Sequence, residues 1–89
     1  MKYHLTTTIK KSGPTSMCVY IPRAWDMQAG LDVSVALIKT VDGEESTNTF
    51  LGSICAANKS GGQKISIPRV FGLAVGDWIT IILEPIRYP

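Results

Sequence analysis

One stretch of ten residues occurs twice in this 89-residue chain, 46 positions apart. The sequence IPRAWDMQAG at residues 21–30 matches IPRVFGLAVG at residues 67–76. Extended over residues 21–37 and 67–83, five of 17 aligned positions are identical, where chance gives about one. Because a half of this length buries too little apolar surface to be stable alone, the repeat predicts one domain with a shared core, built from residues 1–43 and 44–89.

Most of each copy has the pattern of β-strands. We expect strands at residues 3–10, 17–21, 33–41, 47–57, 64–67 and 78–83, with a bend at Gly52 and turns at residues 11–16 and 59–62. Pro22 and Pro68 fit the start of short helical turns, at residues 24–28 and 70–73. The sequence therefore predicts a mainly β fold: a small pseudo-twofold β-barrel made of two βαβ-type repeats with short helical turns.

Local signals refine this picture. Asp42-Gly43 predicts a type I′ hairpin turn, and we expect residues 44–46 to extend its loop. The repeat places four large apolar residues at matched positions, and we expect them to fill the core from the helical turns: Trp25, Met27, Phe71 and Leu73. Tyr20 alternates away from its apolar neighbours and is expected to be exposed.

Composition excludes several classes of protein. Hydrophobic residues make up 45% and charged residues 18%, and the mean hydropathy is +0.15, so the chain can bury a core. The longest apolar run, at residues 17–21, has five residues, too few to span a bilayer. The N-terminus lacks the apolar segment of a secretory signal, and we expect a cytoplasmic protein without membrane contact.

No catalytic or metal-binding pattern stands out. The chain has one histidine and two cysteines, and Cys18 and Cys55 form no CxxC pair. We interpret both as buried, reduced packing residues. The carboxylates are scattered and suggest no acid–base pair. We therefore expect neither an enzyme nor a bound metal or cofactor.

Charge alternates along the chain. Residues 1–25 and 46–76 have net charges of +4 and +3, while residues 26–45 and 77–89 have −4 and −1, which leaves +2 overall. Two basic blocks folded to one side would attract a polyanion. The alternative is that they only solvate strand ends.

Two motifs resemble the AbrB/MazE/SpoVT family. Residues 61–69, GGQKISIPR, followed by residues 72–79, GLAVGDWI, match its glycine turn, its apolar strand ending in Ile-Pro-basic, and its Gly-Leu-x-x-Gly-Asp turn. KSGPTSMCVYIPR at residues 11–23 resembles the antitoxin branch. The sequence departs from the family in two places: its helices are about one turn of 3.6 residues shorter, and Gly30-Leu31-Asp32 replaces Gly-Asp in the first copy.

The resemblance implies a swapped-hairpin dimer contained in one polypeptide and a DNA-binding transcriptional regulator. The residues expected to contact double-stranded DNA are Lys10, Lys11, Arg23, Lys59, Lys64 and Arg69. Arg23 and Arg69 share one repeat position, and arginine suits both phosphate and guanine. The alternatives are a toxin-neutralising protein-interaction module, disfavoured because only residues 84–89 follow the last strand, and another cradle-loop barrel that binds a ligand. The resemblance is compatible with two oligomeric states: a monomer whose two halves take the place of a dimer, and a homodimer of the chain.

Overall fold

Eight β-strands and two 3₁₀ turns make up the computed structural model, which describes residues 2–56 and 62–86. The strands are β1 (Tyr3–Thr8), β2 (Lys10–Lys11), β3 (Met17–Ile21), β4 (Asp32–Val41), β5 (Glu44–Ser53), β6 (Cys55–Ala56), β7 (Gln63–Ile67) and β8 (Trp78–Pro85). The first 3₁₀ turn is Arg23–Trp25 and the second is Arg69–Phe71. The predicted mainly β class is confirmed.

The strands form two antiparallel sheets that mix the two halves of the chain. The first sheet has the order β1-β8-β4-β5, and the second has the order β2-β3-β7-β6. At the centre of the second sheet, Val19 of β3 lies opposite Ile65 of β7. The halves therefore share one core. Among the described residues no strand pairing joins one sheet to the other, so the architecture is two sheets and not a hydrogen-bonded closed barrel.

The two halves present the same elements in the same order. A shift of 46 carries β3 onto β7, the first 3₁₀ turn onto the second, and the start of β4 onto that of β8. Ile9 and Ile54 interrupt the two long strands at matching points, and each bonds to the turn of the other half. These bonds are Ile9 N–H to Asp77 O (3.0 Å), Gly76 N–H to Ile9 O (2.8 Å), Ile54 N–H to Leu31 O (2.8 Å) and Gly30 N–H to Ile54 O (2.7 Å).

The core lies between the sheets and receives alternate residues of each strand, as the pleat requires. Its buried members are Ile9, Val19, Ile21, Met27, Val33, Val35, Leu37, Ile54, Ile65, Ile67, Ile79, Ile81 and Leu83. Trp25, Phe71 and Leu73 pack against it partly buried. The predicted packing role of Trp25, Met27, Phe71 and Leu73 is therefore confirmed. The predicted exposure of Tyr20 is also confirmed.

The helical segments are shorter than predicted. Each 3₁₀ turn has three residues and ends at a residue in the left-handed region, Asp26 (φ 51°) in the first and Gly72 (φ 70°) in the second. A left-handed residue cannot continue a right-handed helix. The βαβ description therefore does not hold for the described residues, in which 3₁₀ turns stand where α-helices were expected.

Three further expectations need correction. Asp42 and Gly43 form the predicted turn with positive φ (51° and 81°), but Glu44 already pairs with Val41, so residues 44–46 belong to β5. The long strand breaks at Ile54 and not at the predicted Gly52. The turn predicted at residues 59–62 lies almost wholly outside the described residues.

The cysteine prediction is half right. Cys18 is fully buried and both thiols are free. Cys55, however, is exposed in β6. The reason is the pleat, because Ile54 faces the core and its neighbour must face away.

Candidate nucleic-acid interface

The loop between β2 and β3 carries the first cation of the candidate site. Ser12 donates its backbone N–H to the carbonyl oxygen of Ser16 at 2.9 Å, and this bond closes the loop. Lys11 lies at its base, exposed and opposite Met17. The predicted turn at this position is confirmed, and it holds Lys11 at the end of the second sheet.

Arg69 approaches this loop from the other half of the chain. Met17 pairs with Lys11 on one side and with Ile67 of β7 on the other. Pro68, extended at φ −61° and ψ 134°, then leads directly from β7 into the second 3₁₀ turn. The strand pairing therefore brings Arg69, which is exposed, beside a loop more than fifty residues away in the sequence.

Lys11 and Arg69 line one groove of about 350 Å³. Its described lining is Lys11, Gly13, Pro14, Thr15, Ser16, Met17, Arg69, Gly72, Leu73 and Val75. None of these residues is acidic, and two carry hydroxyl groups. A guanidinium, an ammonium and hydroxyl donors are the groups that proteins use to bind phosphate oxygens. The groove can therefore accept a phosphodiester.

Lys64 is tied to the same loop. It lies half-buried in β7, opposite Tyr20 of β3 and Cys55 of β6. Its Nζ donates to Ser12 Oγ at 2.8 Å. This contact joins the two halves at the base of the loop and places a third positive charge next to the groove.

Lys10 lies on the opposite face of its strand from Lys11, because neighbouring strand residues alternate. It is exposed and stands opposite Cys18. Its side chain shares the outer face of the second sheet with Lys64, and it does not line the groove.

Arg23 occupies the position in the first half that Arg69 occupies in the second. It is exposed and follows an extended proline, Pro22 (φ −60°, ψ 134°). The segment that corresponds to the loop beside Arg69 is residues 57–61, which includes Lys59 and lies outside the described residues. The structure thus brings Lys11, Lys64 and Arg69 together, while the predicted Lys59 contact stays a prediction.

The acidic groups are placed elsewhere. Asp42, Glu44 and Glu45 line a separate depression at the β4–β5 hairpin. Asp77, near the groove in sequence, is neutralised by Lys39, whose Nζ lies 2.9 Å from its Oδ2. The hydrogen bond from Lys39 and a second from the Ala74 N–H hold the pKa of Asp77 below its usual value. The groove therefore keeps its positive charge.

The described residues offer no metal site, since they contain no group of three or more His, Cys, Asp or Glu side chains placed to hold an ion. Within the same part of the chain, no helix is long and apolar enough to cross a membrane.

Sequence reasoning treated residues 11–16 as a plain turn and missed the part that the hydroxyl residues of this turn have in the groove. Thr15 and Ser16 line it, and Ser12 accepts the Lys64 hydrogen bond. Hydroxyl residues are common in any turn, so their presence there gave no signal.

Comparisons with protein-family models, curated proteins and solved structures returned no match.

Proposed function

We propose that this chain is a non-enzymatic protein that binds double-stranded DNA and regulates transcription, with two repeats of the AbrB/MazE/SpoVT swapped-hairpin type in one polypeptide. The observation that carries the proposal is the acid-free groove in which Lys11 and Arg69, from different halves of the chain, lie beside the loop that Lys64 anchors.

The arrangement of the halves supports a twofold interface. β3 pairs with β7 about a centre at Val19 and Ile65, so the exits from these strands, and hence Arg23 and Arg69, lie at opposite ends of the pair. Duplex DNA has an approximate dyad of its own, and symmetric readers match it with paired half-sites. Two equivalent arginines, in the 3₁₀ turns at opposite ends of one strand pair, suit such a target.

The chemistry of these side chains favours contacts to the phosphate backbone of DNA, combined with recognition of a few base edges. Lysines supply attraction to phosphates without a geometric requirement, whereas an arginine fork can bond to guanine O6 and N7. If the chain neutralises four to six phosphates, the logarithm of its affinity should fall with the logarithm of salt concentration at a slope of about −4 to −5.

The test is fluorescence anisotropy of a labelled random-sequence duplex, titrated at several salt concentrations. On a duplex selected for tight binding, Arg69→Ala should weaken binding by about five- to 150-fold if Arg69 bonds to a base edge, a cost of about 1–3 kcal/mol. Lys2→Ala is the charge-matched control: it also removes one positive charge from an exposed position, and Lys2 does not line the groove that holds Arg69. It should change affinity by less than about twofold, since the long-range attraction of one exposed charge is largely screened.

The double variant Arg23→Ala/Arg69→Ala decides the question. It should lose most binding while its circular dichroism spectrum stays that of the parent, because both side chains are exposed and lie outside the core. If the folded double variant binds duplex DNA as tightly as the parent, the proposed interface is wrong.

A further inference from the structure

The first sheet turns one whole face away from the core, and its centre is uncharged. One row of directly opposed residues crosses all four strands: His4, Ile82, Ala36 and Thr49. Ala36 and Ile82 are half-buried at its middle. We call the surface made by this row and its neighbours the outer face of the first sheet.

The next row of opposed residues on this face also lacks Lys, Arg, Asp and Glu. It consists of Thr6, Thr80, Ile38 and Thr47, and the hydroxyls of Thr6 and Thr80 bond to each other at 3.0 Å. Threonines bonded to each other across strands need less water than free hydroxyls. Neither of these two rows contains Lys, Arg, Asp or Glu.

Two large apolar side chains flank the central rows, and the row that contains Leu51 also holds Ser34 and the exposed Glu84. Leu51 on β5 is 75% exposed and Trp78 on β8 is 68% exposed. A solvated face of an antiparallel sheet is ordinarily polar, and contiguous exposed apolar surface of this kind marks an interaction site. With no lysine or arginine in its central rows, this face is unsuited to nucleic acid, in contrast to the groove.

The face is suited to a second copy of itself. Counted from the matching breaks at Ile9 and Ile54, His4 matches Thr49, and the shift of 46 matches Ala36 with Ile82, so the central row has the same pattern from either end. Two such faces can therefore meet in a closed, isologous contact, packed as aligned sheets about 10 Å apart. Because the central rows are uncharged, no like charges oppose each other at the centre of the contact.

The area fits a weak dimer. The four strands have 6, 8, 10 and 10 residues. At about 4.8 Å between strands and about 3.3 Å per residue, the face covers roughly 500 Å². Two copies would bury about 1,000 Å², at the lower limit for a specific protein–protein interface.

We propose that two copies of this chain form a dimer by packing the outer faces of their first sheets against each other, with Ile38 and Ile82 at the centre. The groove of Lys11 and Arg69 shares no lining residue with this face, so it stays open in the dimer.

Sedimentation velocity across a wide range of protein concentrations tests the proposal. The parent should dimerise reversibly, and Ile38→Lys should raise the dissociation constant at least about tenfold, since it introduces a charge that must be desolvated. Val70→Lys is the control, because Val70 is 84% exposed on the second 3₁₀ turn and lies outside the face. It should dimerise as the parent does.

A second measurement needs no variant. The methyl resonances of Ile38 and Ile82 should shift with protein concentration, while those of the buried Ile65 and Ile67 should not. A parent that stays monomeric at the highest concentrations overturns the proposal. So does a dimer that Ile38→Lys leaves intact, which would assign the contact to another surface such as the edge of β5.

Discussion

Two equivalent positions show how a single residue shapes the turns. Asp26 and Gly72 both end a 3₁₀ turn in the left-handed region, and each donates its N–H to the carbonyl of the arginine three residues before it. Glycine adopts this conformation without strain, whereas aspartate, which has a Cβ, is strained by about 1–2 kcal/mol. The second half of the chain therefore has the better residue for the same backbone.

Replacing Asp26 with glycine should stabilise the protein. The relief of strain exceeds the loss of chain entropy, which is about 0.5–1 kcal/mol for glycine, so the free energy of unfolding should rise by up to about 1 kcal/mol. The reverse change, Gly72→Asp, should lower it by a similar amount, although no atom lies within 4 Å of the added Cβ. Urea unfolding with an unchanged m-value measures both. A loss of stability in Asp26→Gly would contradict this account.

Asp77 makes the free energy of unfolding depend on pH in the acidic range. Its pKa is lowered in the folded protein, so its contribution is complete above the unfolded value of about 3.9 and is lost as the pH falls through the folded pKa. Asp77→Asn keeps an acceptor for the Ala74 N–H but removes the charge. Between neutral pH and pH of about 2, the parent should lose more stability than this variant, by about 1 kcal/mol or less for a partly exposed pair.

The measurement is urea unfolding at a series of pH values. Lys39→Gln is the diagnostic companion, since the Lys39 hydrogen bond is the largest cause of the lowered pKa of Asp77. When Lys39→Gln is already present, adding Asp77→Asn should change the pH dependence of stability much less than it does in the parent. An unchanged pH dependence in Lys39→Gln would show that the Ala74 N–H dominates instead.

At the scale of elements, sequence pattern predicted the strands well and their ends poorly. β3 begins and ends where the apolar run at residues 17–21 does. The break at Ile54 could not be predicted, because its cause is a pair of hydrogen bonds to Gly30 and Leu31 in another part of the chain. The prediction that Cys55 is buried was wrong for the same reason, because the position of the break decides which face of the sheet each later residue lies on.

Gly52 has a packing role in β5 that a strand pattern does not reveal. A Cβ at this position would lie 3.2 Å from Phe50 Cε2 and 3.3 Å from Ile65 Cδ1. Both contacts are closer than ordinary van der Waals distance, so a larger side chain must push the aromatic ring or the core isoleucine aside. The glycine thus lets β5 lie close to β7.

Gly52→Val should therefore destabilise the protein by about 1–3 kcal/mol, the usual cost of overpacking. Ser66→Val, at an exposed position of β7, should stay within about 0.5 kcal/mol of the parent. Thermal unfolding followed by circular dichroism measures both. Equal midpoints for Gly52→Val and the parent would mean that Phe50 and Ile65 move aside without cost.

At the scale of the whole molecule, the sequence repeat predicted one domain, and both sheets contain strands from each half of the chain. The candidate site was predictable only in part. The shift of 46 made Arg23 and Arg69 equivalent, but it could not say which loop each would face. That depends on the pairing of β3 with β7, which places Arg69 beside the loop of the other half. The hydrogen bond between Lys64 and Ser12 had no sequence signal.

Because one chain carries both arginines, single variants should affect DNA unequally. On our proposal, Arg23→Ala exposes one half-site of a bound duplex and Arg69→Ala exposes the other, each at a cost of about 1–3 kcal/mol. Hydroxyl-radical footprinting on a duplex selected for tight binding distinguishes the two. If both variants lost the same protected nucleotides, the arginines would not contact separate half-sites.

The Asp42-Gly43 turn between β4 and β5 is also the covalent link between the two halves. Separate half-length chains would complete such a core only where their concentration supports association. A short link holds the halves at an effective concentration in the millimolar range, whatever the amount of protein present. The shared core therefore withstands dilution. Each half is also free to change without the same change in the other, so the two ends of the molecule can come to recognise different ligands.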